Sequence, residues 1–213
     1  MTTQLLLIRH GETAWNAVRR LQGHLDIGLN EAGERQAAAL ARALRDTPLD
    51  AIVSSDLQRA MQTAGAVARL HDVPLHTDAQ LRERGYGVFE GLLYSDIEAR
   101  YPDDFAAWQG RHIDAVMPHG ERFAESFRAF YERSVAAIGA WATRYHGQTI
   151  AIVAHGGVLE CAYRAATGMT LESPRDFQVK NASINRFRFD SGKLALTQWG
   201  DVDHLAVALD DIV

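Results

Sequence analysis

Apolar and polar positions follow two rhythms along this chain. Leu5-Leu6-Leu7-Ile8 is an unbroken aliphatic run, the pattern of a strand buried on both faces, and it stops at Arg9-His10-Gly11. From Glu31 to Arg45 the apolar positions Ala37, Leu40, Ala41 and Leu44 take the three-four spacing of one helical face, with Asn30 placed to cap it. Ala51-Ile52-Val53 predicts a second short buried strand ending at Ser54-Ser55. Ser55 followed by Gln58 matches a capping box, so a helix is expected from Asp56 to about His71. Val73 to His76 reads as a third strand. Thr149 to Ala154 is the clearest central strand; it ends at His155-Gly156-Gly157 and leads into a helix that Gly168 closes after Thr167. Ile184 to Phe189 and Lys193 to Trp199 alternate apolar with polar across Asp190-Ser191-Gly192, which predicts a hairpin at the sheet edge.

Strands alternating with helices imply an α/β fold: a three-layer α/β/α sandwich with a mostly parallel central sheet and one antiparallel edge strand. The middle departs from the alternation. From Leu92 to Tyr145 the pattern is helical, broken at Pro102, Gly110 and Pro118-His119-Gly120, and is expected to be a helical lid inserted over 92–145. With no repeat, low-complexity tract or linker, residues 1–213 read as a single domain.

Composition narrows the classes. A chain of 213 residues can bury a core large enough to fold without disulfides or metal. A net charge of −5, with no basic run longer than Arg19-Arg20, argues against a nucleic-acid partner. The one cysteine, Cys161, excludes an internal disulfide and a multi-cysteine zinc site. No apolar stretch reaches the length of a signal-peptide core or a membrane span, so a soluble, cytoplasmic protein without a membrane partner is expected.

Charge then collects where strands are predicted to end. Arg9-His10 closes the first strand, placing a forked donor and an imidazole where α/β proteins bind ligands. Arg59 lies in the opening turn of a helix, against the preference of the helix dipole, which suggests a nearby anion. His155 precedes two glycines and a helix start, an arrangement that presents backbone N–H groups to an anion. Glu83, flanked by Arg82 and Arg84, reads by itself as a salt-bridging loop carboxylate. Together these groups suit phosphoryl transfer: cations for the equatorial oxygens, an imidazole to attack, a carboxyl group to protonate the leaving oxygen. A metal-dependent hydrolase is the competing use of two histidines and a carboxylate, and arginines beside the histidines would repel its cation.

The stretch Arg9-His10-Gly11-Glu12-Thr13-Ala14-Trp15-Asn16 resembles the signature of the histidine phosphatase superfamily, also called phosphoglycerate mutase-like. The resemblance continues through Gln22-Gly23, Asp26 to Asn30, Ser54 to Ala60, Leu81-Arg82-Glu83 and Val153 to Gly157. It implies that His10 carries the phosphoryl group as phosphohistidine, with Arg9, Arg59 and His155 lining the phosphate pocket. It implies further donors from Asn16 and the Gly156 N–H, with Gln22 and Gly23 at the same site. Glu83 would be the acid, and Arg84 and Tyr86 lie where mutases also bind substrate. No metal and no cofactor are implied. The family holds phosphatases and mutases. Between Leu92 and Gly120 only Arg100 and Arg111 are full cations, against Asp96, Glu98, Asp103, Asp104 and Asp114, so this segment should repel a bisphosphate. A phosphatase acting on a small phosphorylated metabolite is favoured, with a mutase or a non-catalytic phospho-ligand binder as alternatives. At Arg122 the chain departs from relatives that carry serine. Phe105, Trp108, Met117 and Phe123 read as lid core or as a leaving-group pocket. The strand Ile184 to Phe189 offers an edge through which a homodimer could form.

Overall fold

The computed structural model describes residues 1–210; the last three residues of the expected domain, 211–213, lie outside it. β1 (Thr3–Arg9), β2 (Ala51–Ser54), β3 (Leu75–Thr77), β4 (Thr149–Ala154), β5 (Ile184–Asp190) and β6 (Lys193–Asp201) form one sheet in the order β3-β2-β4-β1-β5-β6. The first four strands of that order run parallel, and β5 runs against β1, so the hairpin makes the antiparallel edge. β5 is paired on both sides. The free edge on this side of the sheet is therefore β6, the other being β3, and Ile184–Phe189 has no unpaired edge through which to join a second copy.

The aliphatic run of β1 is divided between two cores. Leu5 and Leu7 meet one helical layer, made by α6 (Phe127–Arg144) and α7 (Gly156–Thr167), while Leu6 and Ile8 meet the other, made by α2 (Glu31–Leu44) and α3 (Gln58–Ala68). β4 repeats the division, with Ile150 and Ile152 on the first face and Ala151 and Val153 on the second. Burying such a side chain fully contributes about 1.5–3 kcal/mol, so the two central strands are the most firmly held elements of the molecule. α8 (Asp203–Asp210) packs on α2.

The expected helical segment 92–145 divides in two. α4 (Tyr94–Arg100) and α5 (Pro102–Gln109) pack around Leu21, Phe89, Ile97 and Met117 in a small third core. α6 does not belong with them: Phe130, Ala137, Ile138 and Ala142 are buried against the sheet. Its apolar stripe is wide enough to serve as a core helix, which a reading of helix and break positions alone does not reveal.

The expected capping box at Ser55 is absent. α3 starts two residues later, and the N–H of Gln58 donates to Asp26 Oδ1 at 2.6 Å. Ser55 Oγ instead faces His155 Nε2 at 2.8 Å. A short α1 (Ala14–Ala17) follows β1, capped by Thr13. β3 lies two residues later than its apolar pattern suggests, as a three-residue edge strand with exposed ends.

Candidate active site

β1 and β4 are parallel neighbours in the register Arg9↔Ala154, so the residues that follow each strand leave the sheet side by side. The His10 N–H donates to Ala154 O at 3.0 Å, and the rings of His10 and His155 lie with centroids 5.2 Å apart. β2 ends beside them, where the Ser55 N–H donates to Val153 O at 3.0 Å. Three parallel strands thus deliver an imidazole, a second imidazole and a hydroxyl to one carboxyl edge, the usual ligand side of an open α/β sheet.

His10 is nearly inaccessible. Its Nδ1 lies 2.7 Å from Gly11 O, and a carbonyl only accepts, so Nδ1 carries the proton and Nε2 keeps its lone pair. Burial, then the charges of Arg59 and Arg9, hold this imidazole well below its usual value, so it is neutral at neutral pH. Burial and Arg59 do the same to His155. Ser55 Oγ also receives the Leu57 N–H at 3.4 Å, so the hydroxyl joins the start of α3 to His155 Nε2.

Arg59 is 1 % exposed, its guanidinium donating to Leu25 O at 3.0 Å and Gly23 O at 2.8 Å. Burial pushes its pKa down to about 10, with Glu83 and Asp26 opposing. Arg9 is anchored on Val179 O at 2.6 Å. Three nitrogens here are buried without a protein partner: Arg9 Nε, Arg59 Nε and His155 Nδ1. An unsatisfied buried donor costs about 1–3 kcal/mol, and the two guanidinium donors belong to side chains that line one cavity, a setting suited to an oxyanion.

Arg9, His10 and Arg59 border a cavity of about 460 Å³; His155, expected at the phosphate pocket, is fully buried beside His10 and does not line it. Asn16, Gln22, Gly23, Tyr86, Glu83 and Gly156 line it with Arg9, His10 and Arg59. Asn16 Oδ1 is committed to Thr13 at 3.1 Å, which leaves its amide nitrogen as the group for a ligand. Glu83 faces the first turn of α7, accepting from the Gly157 N–H at 3.0 Å and the Arg84 N–H at 2.9 Å. The closeness requires glycine at 157, where a Cβ would stand 2.2 Å from Glu83 Oε1.

Neither arginine beside Glu83 in sequence pairs with it. Arg82 makes a two-pronged bond to Asp56, at 2.7 and 2.6 Å. Arg84, expected to bind substrate, is buried and turned away: it donates to Glu125 O at 3.0 Å and Ala115 O at 3.2 Å, and it does not line this cavity. Arg122 likewise donates to Glu90 O.

The outer part of the cavity was not anticipated. Trp15, Arg19, Arg20, Tyr94, Glu160 and Arg175 form it. Glu160 is nearly buried and tied to Arg111 at 2.5 Å, Arg164 at 2.9 Å and Arg175 at 3.4 Å, so the mouth is cationic on balance. None of Asp96, Glu98, Asp103, Asp104 or Asp114 lines it, so the acidity of that segment does not face a ligand. Phe105, Trp108 and Met117 pack in the third core, and Phe123 lies outside it, stacked on His24 at 5.3 Å. Asn181 Nδ2, also unanticipated, donates to His10 O at 3.0 Å. Among the described residues no three His, Cys, Asp or Glu side chains gather as a metal site would need.

The sequence profile of the histidine phosphatase superfamily, branch 1, matches residues 5–202. The chain belongs to this superfamily. Phosphoglycerate mutase-like protein 4 of Arabidopsis thaliana is 36 % identical over 205 residues, covering 95 % of this chain and 86 % of that protein. The metal-independent phosphoserine phosphatase of the same plant is 34 % identical over 207 residues, covering 96 % and 84 %. The solved structure of YhfR from Bacillus stearothermophilus superposes with a TM-score of 0.86 at 34 % identity, covering 95 % of this chain and 99 % of that one. The chain therefore shares its fold with this superfamily, and the relatives named here include a mutase-like protein and a phosphatase. No described helix is long and apolar enough to cross a membrane.

Proposed function

We propose that this histidine phosphatase hydrolyses a small phosphomonoester without a metal, through a phosphohistidine at His10. The carrying observation is the bond from His10 Nδ1 to Gly11 O, which leaves a neutral Nε2 lone pair in the same cavity as Arg9, Arg59 and Glu83. His10 Nε2 attacks phosphorus, the P–O ester bond breaks, and the carboxyl proton of Glu83 passes to the departing oxygen. Arg9, Arg59 and His155 hold the equatorial oxygens as charge spreads over them. Glu83, now a carboxylate, takes a proton from the water that cleaves the phosphoenzyme, and phosphate leaves. The cationic mouth with Arg19, Arg20 and Arg175 favours a leaving group that is itself anionic.

The same mouth supports a second reading. With no acidic wall against it, a substrate bearing two phosphates is not repelled, and a mutase would pass the phosphoryl group to a second hydroxyl. Both readings share the phosphoenzyme and differ in its fate. The test is phosphate release from a panel of phosphomonoesters in EDTA, with His10→Ala as control and an acid quench to trap the phosphoenzyme. Release that survives EDTA and vanishes in His10→Ala is expected. Release abolished by EDTA would overturn the mechanism, and phosphoryl transfer to added acceptor alcohols in place of water would favour the mutase.

A further inference from the structure

Glu83 lies on a loop, between the 3-10 turn Ala79–Leu81 and the next such turn, Gly87–Phe89, where no strand or helix fixes its backbone. Side chains do: His24 Nε2 lies 2.8 Å from Glu83 O, and Arg133, from the sheet-packed helix α6, makes the larger set of bonds. Arg133 donates through one terminal nitrogen to Gln80 O at 2.7 Å and Arg82 O at 2.9 Å, and through the other to Glu83 O at 3.2 Å and to Glu125 Oε1. Its Nε–H donates to Glu125 Oε2 at 3.1 Å. All five donors of the guanidinium are thereby used, three of them on carbonyls of the segment that carries Glu83.

Glu125 completes the arrangement. Its Oε1 also accepts the Gly85 N–H at 3.1 Å, its own N–H donates to Gly85 O at 3.2 Å, and its carbonyl receives Arg84 Nε at 3.0 Å. The Glu125 side chain is 7 % exposed and that of Arg133 17 %, so the pair is shielded from solvent and from screening. The plane of Arg133 also lies over the Phe130 ring, 5.0 Å from its centroid. Neither side chain lines the cavity or reaches His10. Their bonds end on the backbone on both sides of Glu83.

We propose that the Arg133–Glu125 pair is a positioning device for the general acid: it fixes the loop so that the Glu83 carboxyl group meets the departing oxygen. This rests on the phosphatase reading above. A lysine at 133 has three donors and no planar fork, so it cannot hold three carbonyls and a carboxylate together.

The test uses leaving groups that differ in their need for a proton. An alkyl phosphate departs as an alkoxide unless protonated; p-nitrophenyl phosphate departs as a stable phenolate. In both, kcat/KM reports phosphoryl transfer to His10 and not the later hydrolysis. For Arg133→Lys, kcat/KM on glycerol phosphate is expected to fall by roughly 10–100-fold, the scale of a misplaced catalytic group. On p-nitrophenyl phosphate the fall should be about threefold or less, because the acid contributes little there. Glu125→Gln, which keeps an acceptor for the Gly85 N–H, should show the same selectivity at smaller size. Equal losses on both esters, or none on either, in a variant whose melting remains cooperative would overturn the proposal. So would a non-cooperative Arg133→Lys with an unselective Glu125→Gln. A wild-type enzyme silent on both esters would instead remove the phosphatase reading, and the proposal with it.

Discussion

His10 and His155 stand at the ends of β1 and β4, whereas Glu83 stands on an irregular loop, and different bonds hold the two. The imidazoles inherit their places from the sheet: a parallel register, a backbone bond from His10 N to Ala154 O, and strands buried on both faces. The carboxylate depends on side chains, chiefly Arg133 and Glu125, that come from elsewhere in the chain. The strand-end half resists displacement as long as the fold stands. The loop half is held by side-chain hydrogen bonds and not by a strand register, so it can shift without breaking the sheet.

Three experiments would break or sharpen that contrast. The largest effect belongs to the chemistry of the loop. Glu83→Gln removes the transferable proton and should lower kcat/KM on an alkyl phosphate by about 10²–10⁴-fold, the usual share of a general acid. An unchanged rate, measured beside an intact thermal transition, would mean that another group supplies the proton. The next largest belongs to the junction of the two halves. In Gly157→Ala the new Cβ would stand 2.2 Å from Glu83 Oε1 and 2.8 Å from the Phe130 ring, so the acid must move while the imidazoles stay. A loss of roughly 10²-fold on alkyl esters, with phosphoenzyme still formed from an aryl ester, is expected. Loss of the phosphoenzyme as well would show that the halves are not separable.

The smallest effect is thermodynamic and confined to the strand ends. Both imidazoles titrate near 6.5 in the unfolded chain and lower in the fold. Between those values the unfolded chain binds more protons, so stability is full above about pH 6.5 and declines as the pH falls through that window. Denaturation midpoints followed downward from pH 7 should fall, and the fall should shrink in His10→Asn. A midpoint that rises on acidification would contradict the buried neutral pair.

Legibility in the sequence follows the same division. β1, β4 and α7 were readable because burial on both faces writes itself as uninterrupted aliphatic residues, and because Gly168, at φ 71, ends its helix in the conformation glycine favours. His10, His155, Arg9 and Arg59 were readable because they sit within a few residues of such elements. Ser55 was misread because a hydroxyl near a helix start fits two partners, and here a buried imidazole takes it while Asp26 caps the helix. Arg133, Glu125, Glu160 and Arg175 left no trace. Apart from Glu160–Arg164, four residues apart on one helix, their ion-pair partners lie 8 to 49 residues away, and such a pair imposes no period on the intervening sequence. The acids of residues 92–120 misled for a related reason, since composition records charge and not the direction in which it points.

β1 comes first in the chain and lies deep in the sheet, with β4 on one side and β5 on the other. Both neighbours are made from residues beyond 148, so a growing polypeptide carries His10 through at least 139 further residues with no sheet partner for β1. Long-range pairing of this kind closes late and slowly. On the proposed mechanism, the histidine that attacks phosphorus gains both of its supporting strands only after residues 149–189 have been made, so a fragment that stops short of them holds it in no fixed place.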